Sequence, residues 1–229
     1  MRAEEPLQVT QTIPRPVLGL DTCGPETTLA LAHCAGQSLT VARALTLAPR
    51  MAAAGIVEAL EQLLGGSPGG LGAIVVVRGP GSFTGMRIGL SCVKALAAAT
   101  GTPVVGVSRL AVLAHAAGAR WAALDAGRGN VYLRDSVTGI EQMLAADEAR
   151  ARVSLERRLH IALCEQKAAL VFSQQESGSP RLHPAPDAAA AVRYALPRLG
   201  AEQWDDAESL DALYLWREEQ MFGRPAPLL

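Results

Sequence analysis

Apolar residues fall along this chain in short runs whose spacing changes from one segment to the next. Residues 17–21 and 27–33 read as two strands, and Cys23-Gly24-Pro25-Glu26 between them is a Gly-Pro turn signal that predicts a hairpin. Residues 38–44 form a third candidate strand. Residues 51–64 have helical spacing and stop at Gly65-Gly66. The short valine-rich run 73–77 reads as a buried strand. Residues 82–99 predict a helix closed by Gly101 and Pro103, and 104–107 a further buried strand. Ser108 then caps a helix through Ala117. Strands alternating with helices after an opening meander predict an α/β lobe with a mixed sheet.

The pattern weakens downstream. Residues 121–125 and 130–134 form a second strand–turn–strand, with Gly127-Arg128-Gly129 in the turn. Residues 141–158 and 188–199 read as helices, 161–164 and 170–172 as short strands, and the Gly/Pro/Ser-rich stretch 177–186 as a surface loop. Residues 1–16 are polar, carry two prolines near their end and lack periodicity, so they read as a frayed tail. The expected division is a tail (1–16), a first lobe (17–117) and a smaller second lobe (118–229). No internal repeat stands out.

Composition narrows the class. With 229 residues, 49% of them apolar, the chain can bury a substantial core. A net charge of -1 leaves no global footprint for nucleic acid or a membrane surface. Charge is skewed, however: no Asp or Glu lies between Gln62 and Leu124, where Arg78, Arg87, Lys94, Arg109 and Arg120 all fall. Such a window is either a buried apolar segment or a lobe that receives an anion or an acidic partner. Cys23, Cys34, Cys92 and Cys164 form no C-x-x-C pair and sit in apolar runs, which reads as reduced core thiols in a cytoplasmic protein. The opening MRAEEPLQVTQTIPRP has no continuous apolar stretch, so no signal peptide is expected, and no run is long enough for a membrane span.

The densest chemistry lies in VVVRGPGSFTGMRIGL, residues 75–90. Gly79, Gly81 and Gly85 are out of step with G-x-G-x-x-G, and no acid follows before Asp125. A P-loop needs Lys then Ser or Thr; this chain has Met86-Arg87. The ingredients of an anion site are nonetheless present: a strand ending at Arg78, glycines, a helix start near Ser82, and donors on Ser82, Thr84 and Arg87. A glycine turn needed only for packing is the competing reading.

The helix after this loop has scarcely any polar face, and 51–64 is similar. A helix apolar nearly all round must bury its far side as well. Either the second lobe covers both helices or they form a subunit interface, and two such helices side by side favour the interface. Catalytic candidates are few. Asp21 and Asp125 each end an apolar strand, where two carboxylates facing one cleft can hold Mg²⁺ or act as a base, although such residues are more often turn or cap residues. The four histidines lack metal-site spacing, Ser82 is not in G-x-S-x-G, and no basic-aromatic interleaving marks a stacking platform for RNA bases.

GLDTCGPETTLAL (19–31), VVVRGPGSFTGMRIGLSCVKALA (75–97), PVVGVSRLAVLA (103–114), ALDAGRGNVYLR (123–134) and the closing ALYLWR (212–217) together resemble the TsaB family, formerly YeaZ. The resemblance implies an actin/Hsp70-like (ASKHA, ribonuclease H-like) α/β fold with two unequal lobes and a mixed sheet flanked by helices. It also implies a non-catalytic subunit that pairs with the transferase TsaD and the ATPase TsaE. That complex places threonylcarbamoyl on the adenosine 3′ of the anticodon in tRNAs reading A-starting codons. TsaD holds a metal through H-x-x-x-H; here that spacing carries Met51 and Gly55, so no metal site is implied. By the resemblance, Asp21, Thr22, Gly79, Gly81, Ser82, Thr84, Gly85 and Arg87 outline a vestigial nucleotide site, with no cofactor held firmly and ATP or ADP placed at the subunit junction. Met51, Ala54, Gly55, Met86, Gly89, Leu90, Val93 and Lys94 would face TsaD, or a second TsaB copy when TsaD is absent. Against this stands an ATP-dependent phosphotransferase of the same fold, using Asp21 and Asp125.

Overall fold

The computed structural model describes residues 12–154, 160–173 and 182–215. Two mixed sheets form its frame. The first contains β1 (Thr12–Asp21), β2 (Thr27–Ala35), β3 (Ser38–Leu47), β4 (Ala73–Val77) and β5 (Val104–Val107), in the order β3-β2-β1-β4-β5. β1, β2 and β3 are an antiparallel meander, while β4 and β5 run parallel to β1. The second sheet contains β6 (Trp121–Gly127), β7 (Asn130–Asp135), β8 (Glu141–Ala145) and β9 (Ile161–Leu163), in the order β8-β7-β6-β9. It repeats the first four strands of the larger sheet: a meander, then a strand parallel to its first member. Periodicity alone did not disclose this repeat, because the two halves share strand senses and not residue types.

Strand alternation explains the layers of the first lobe. Leu18, Leu20, Ile74 and Val76 pack on one face with α1 (Ala52–Leu64) and α2 (Phe83–Thr100). Val17, Val75, Val77 and Val105 pack on the other with α6 (Ala188–Gly200). β4 is buried along its whole length, as a strand covered on both faces must be. In the second lobe, Leu133, Leu144, Val153 and Phe172 join β7 and β8 to α4 (Ala146–Ser154) and α5 (Gln166–Phe172). The opposite face meets α3 (Arg109–Ala117) through Leu110, Leu113, Leu124 and Tyr132.

Several expectations shift. Residues 12–16 belong to β1, so the expected tail is shorter, and residues 1–11 lie outside the described region. The helix expected over 141–158 opens as β8, because pairing with β7 and burial of Met143 and Leu144 override helical propensity. Residues 170–172, expected as a strand, end α5 instead. A boundary at Gly118 separates the sheets, but packing crosses it both ways. α3 covers the second sheet, and α6 returns to the first. Residues 205–213 return with it: Asp205 N donates to Val104 O (2.8 Å), and Leu213 N to Arg78 O (2.7 Å). No helix among the described residues is long and apolar enough to cross a membrane.

Candidate functional site

The two lobes enclose a cleft of about 700 Å³ whose walls include Thr22, Ser82, Gly85, Arg109, Asp125 and Glu165. The glycine loop and the β1–β2 turn form one wall, and they are in direct contact. Thr22 Oγ1 donates to Gly85 O (2.7 Å), Ser82 N donates to Cys23 O (2.8 Å), and Gly85 N donates to Ser82 Oγ (3.1 Å) as the cap of α2. A methyl group on Gly81 would overlap Cys23 O, one on Gly85 would overlap Thr22 O, and one on Gly89 would overlap Thr22 Oγ1. These glycines therefore serve close approach of protein to protein. Within the loop, the Ser82 and Gly85 N–H groups are thereby turned to the chain's own Cys23 carbonyl and Ser82 hydroxyl rather than to the cleft.

Asp21 lies beneath this wall, 3% exposed, and its Oδ1 accepts from Cys23 N (2.8 Å). Burial pushes its carboxyl pKa up, while the nearby Arg109 guanidinium pulls it back. Arg109 is 3% exposed at the first position of α3, and its Nη1 donates to Glu165 Oε1 (2.9 Å). Glu165 Oε2 in turn accepts from Asp125 N (2.7 Å), so Arg109 and Glu165 tie the two lobes together across the cleft floor. Asp125 directs Oδ1 to Gly127 N (3.0 Å), with Lys167 Nζ 3.9 Å from Oδ2. Of the expected Asp21/Asp125 pair, Asp21 is buried beside Arg109, whereas Asp125 lines the cleft and holds its own turn. Among the described residues no cluster of three or more His, Cys, Asp or Glu is arranged to hold a metal. Burial raises the Cys23 thiol well above its ordinary range and Cys164 to about 11, which favours the protonated form of both near neutral pH.

A family model described as "TsaD: tRNA N6-adenosine threonylcarbamoyltransferase" matches residues 50–186. The TsaB protein of Escherichia coli is 34% identical over 125 residues, covering 51% of this chain and 52% of that protein. The aligned region thus spans about half of that relative. An uncharacterized protein of Mycobacterium tuberculosis is 34% identical over 163 residues, covering 67% of this chain and 74% of that one. The solved structure of YeaZ from Pseudomonas aeruginosa superposes with a TM-score of 0.67 at 26% identity, over 88% of this chain and 100% of that chain. The chain belongs to the TsaB family. Its two mixed sheets flanked by helices are the α/β actin/Hsp70-like fold that the sequence resemblance implied.

Within this TsaB-family chain the expected site residues separate into groups. Thr22, Gly81, Ser82, Thr84 and Gly85 line the cleft, while Gly79 is buried with φ 117° and accepts from Arg109 N (2.7 Å). Arg87 is outside the cleft: its Nε donates to Tyr214 Oη (3.2 Å) and its guanidinium lies 4.0 Å above the Phe83 ring. Of the residues expected at an interface, Met51 is 48% exposed and Ala54 is exposed, whereas Gly55 is half-buried against Leu47. Met86, Gly89, Leu90 and Val93 point into the chain's own core, which corrects their expected place on a surface. Lys94 is half-buried and donates to Glu208 O (2.9 Å). The reason is helical phase: with small Ser91, Ala95, Ala98 and Ala99 on the far side, α2 is apolar all round in composition but buried along one stripe only.

The Arg109–Glu165 pair has a signature in the sequence. A lone Arg opening the otherwise apolar RLAVLAHAA needs a carboxylate partner, and Glu165 stands two residues past β9, at the start of α5.

Proposed function

We propose that this chain serves in tRNA threonylcarbamoyladenosine biosynthesis as a subunit without transfer chemistry of its own, pairing with a TsaD-type transferase and working with the ATPase TsaE. The observation that carries this reading is the closure of the glycine loop on Thr22 and Cys23, behind which Arg109 neutralises Asp21. A loop closed in that way supports the fold and grips no nucleotide. Any adenine nucleotide used by the assembly sits at the junction with the partner.

The partner-facing surface in this reading is the exposed side of α1 with the outward side of α2. Met51, Ala54 and Val57 are exposed on the first, and Ser91 and Ala95 on the second. The same surface pairs two copies when the transferase is missing. Small residues there permit close helix approach, and half-buried Ile88, Cys92 and Leu96 gain cover from a second chain.

The test is reconstitution. Threonylcarbamoyl transfer to tRNA is measured for TsaD with TsaE, with and without this chain, beside sedimentation of the mixtures. Co-migration and a large rate gain are expected. An unchanged rate, or transfer by this chain alone, ends the reading.

A further inference from the structure

On the opposite side of the glycine loop lies a second pocket of about 360 Å³, within the range of roughly 300–1,000 Å³ that suits small ligands. Met86 and Leu213 line it, and Phe83, Tyr132 and Tyr214 supply three aromatic rings. Phe83 opens α2 and is 49% exposed, an aromatic ring left in water beside a formed cavity. Its ring centroid is 5.3 Å from that of Tyr214 at a 40° tilt, and Arg87 holds both, stacked over the first and bonded to the hydroxyl of the second. Arg128, at φ 53° between Gly127 and Gly129 in the β6–β7 turn, lines the pocket and makes no ion pair among the described residues. Sequence reading found no basic-aromatic interleaving because these residues come from positions 83, 87, 128, 132 and 214, which only the fold assembles.

We infer that this pocket takes an unpaired RNA base together with an adjoining phosphate, an assignment that rests on the proposed role in tRNA modification for the identity of the RNA. Rings fixed by packing offer a stacking surface that any base can use. Single-stranded loops are where RNA presents splayed bases. Arg87 and Arg128 supply cations for the phosphate, and the Asp125 carboxylate in the pocket wall can accept from an exocyclic amine. Two cations beside a ring pair favour a polyanion over an apolar peptide.

Anisotropy of a labelled single-stranded oligoadenylate heptamer tests this, on the full chain alone and in complex with TsaD, beside an oligoadenylate–oligouridylate duplex and a neutral tyrosine-containing peptide. The single strand is expected to bind in preference to both. Phe83→Ala should weaken it about five- to hundredfold and Phe83→Tyr should retain it. Arg128→Asn, a residue that tolerates the left-handed turn, should weaken binding and reduce the salt slope by about one. No binding in either form, equal affinity for duplex or peptide, or binding unchanged in both Phe83→Ala and Arg128→Asn overturns the inference. TsaD stimulation is recorded in the same preparations. A chain that stimulates transfer yet binds no single strand sinks the pocket and leaves the proposed role. A chain that binds through Phe83 yet stimulates nothing sinks the role and leaves the pocket.

Discussion

The two sides of the loop–helix unit 79–100 are built on opposite terms. Inward, Gly81, Gly85 and Gly89 leave no space for even a methyl group against Thr22 and Cys23, and Met86, Leu90 and Val93 continue that contact into the core. Outward, Phe83, Arg87, Ser91 and Ala95 are all exposed. The inner side therefore has one arrangement and no tolerance, while the outer side is free to meet other molecules. A glycine-rich loop before a helix is commonly a phosphate grip; here Gly81, Gly85 and Gly89 also serve close packing of the chain on Thr22 and Cys23.

Substitutions on each side test that contrast, from the largest expected effect to the smallest. Val93→Glu, or Leu90→Glu, places a carboxylate in the core without a counter-charge. Either should lower stability by on the order of 5 kcal/mol, seen as unfolding at low urea rather than as clean dissociation of an assembly. A folded, soluble Val93→Glu chain would show that α2 turns differently.

Arg109→Leu breaks the ion pair with Glu165 and leaves buried Asp21 without its nearby cation, and about 3–5 kcal/mol should be lost at pH 7. The sign with pH follows from Asp21, whose carboxyl is already raised above 3.8 by burial. A raised acid favours the folded state at low pH and loses that advantage as pH rises through its folded value. Without Arg109 the folded value climbs further, so the gap between variant and parent should be widest near neutrality and narrow toward acid pH. A gap that is flat with pH would show that neither Asp21 nor Glu165 is set free, and a gap that persists in an Arg109→Leu, Glu165→Gln double variant would assign it to Asp21.

Gly85→Ala forces a methyl group against Thr22 O and should lower stability by about 2–3 kcal/mol, measured as a shift of the urea midpoint. An unaffected midpoint would mean that the loop and the β1–β2 turn separate easily, which would reopen the phosphate reading. Ala95→Glu, by contrast, should change stability by no more than about 0.5 kcal/mol, and co-sedimentation with TsaD should weaken. Undisturbed assembly would place the partner elsewhere.

Most elements were legible because their signals are local. Ser108 caps α3 as its position predicted, and Ser82, expected as the start of α2, caps that helix in the same way, each accepting from the backbone N–H three residues on. Gly65, Gly101 and Gly118 end three helices in the left-handed conformation. The failures fall where distant chain decides. β8 is a strand because β7 lies beside it, and α6 serves the first sheet although it follows the second in sequence. Among site residues, the cleft positions 22, 81, 82, 84 and 85 were found from one contiguous motif and its neighbouring strand end. Arg109 and Glu165, 56 residues apart, were not.

By itself the sequence determined the strand and helix runs, their caps and stops, the glycine loop and the family likeness, because each depends on residues within a turn or two of one another. Only the tertiary structure decided which stripe of α2 is buried, what fills the space above the glycines, and that Phe83, Arg128 and Tyr214 share one pocket. Those outcomes depend on which surfaces exclude water from each other, and spacing along the chain carries no record of that until the sheets are in place.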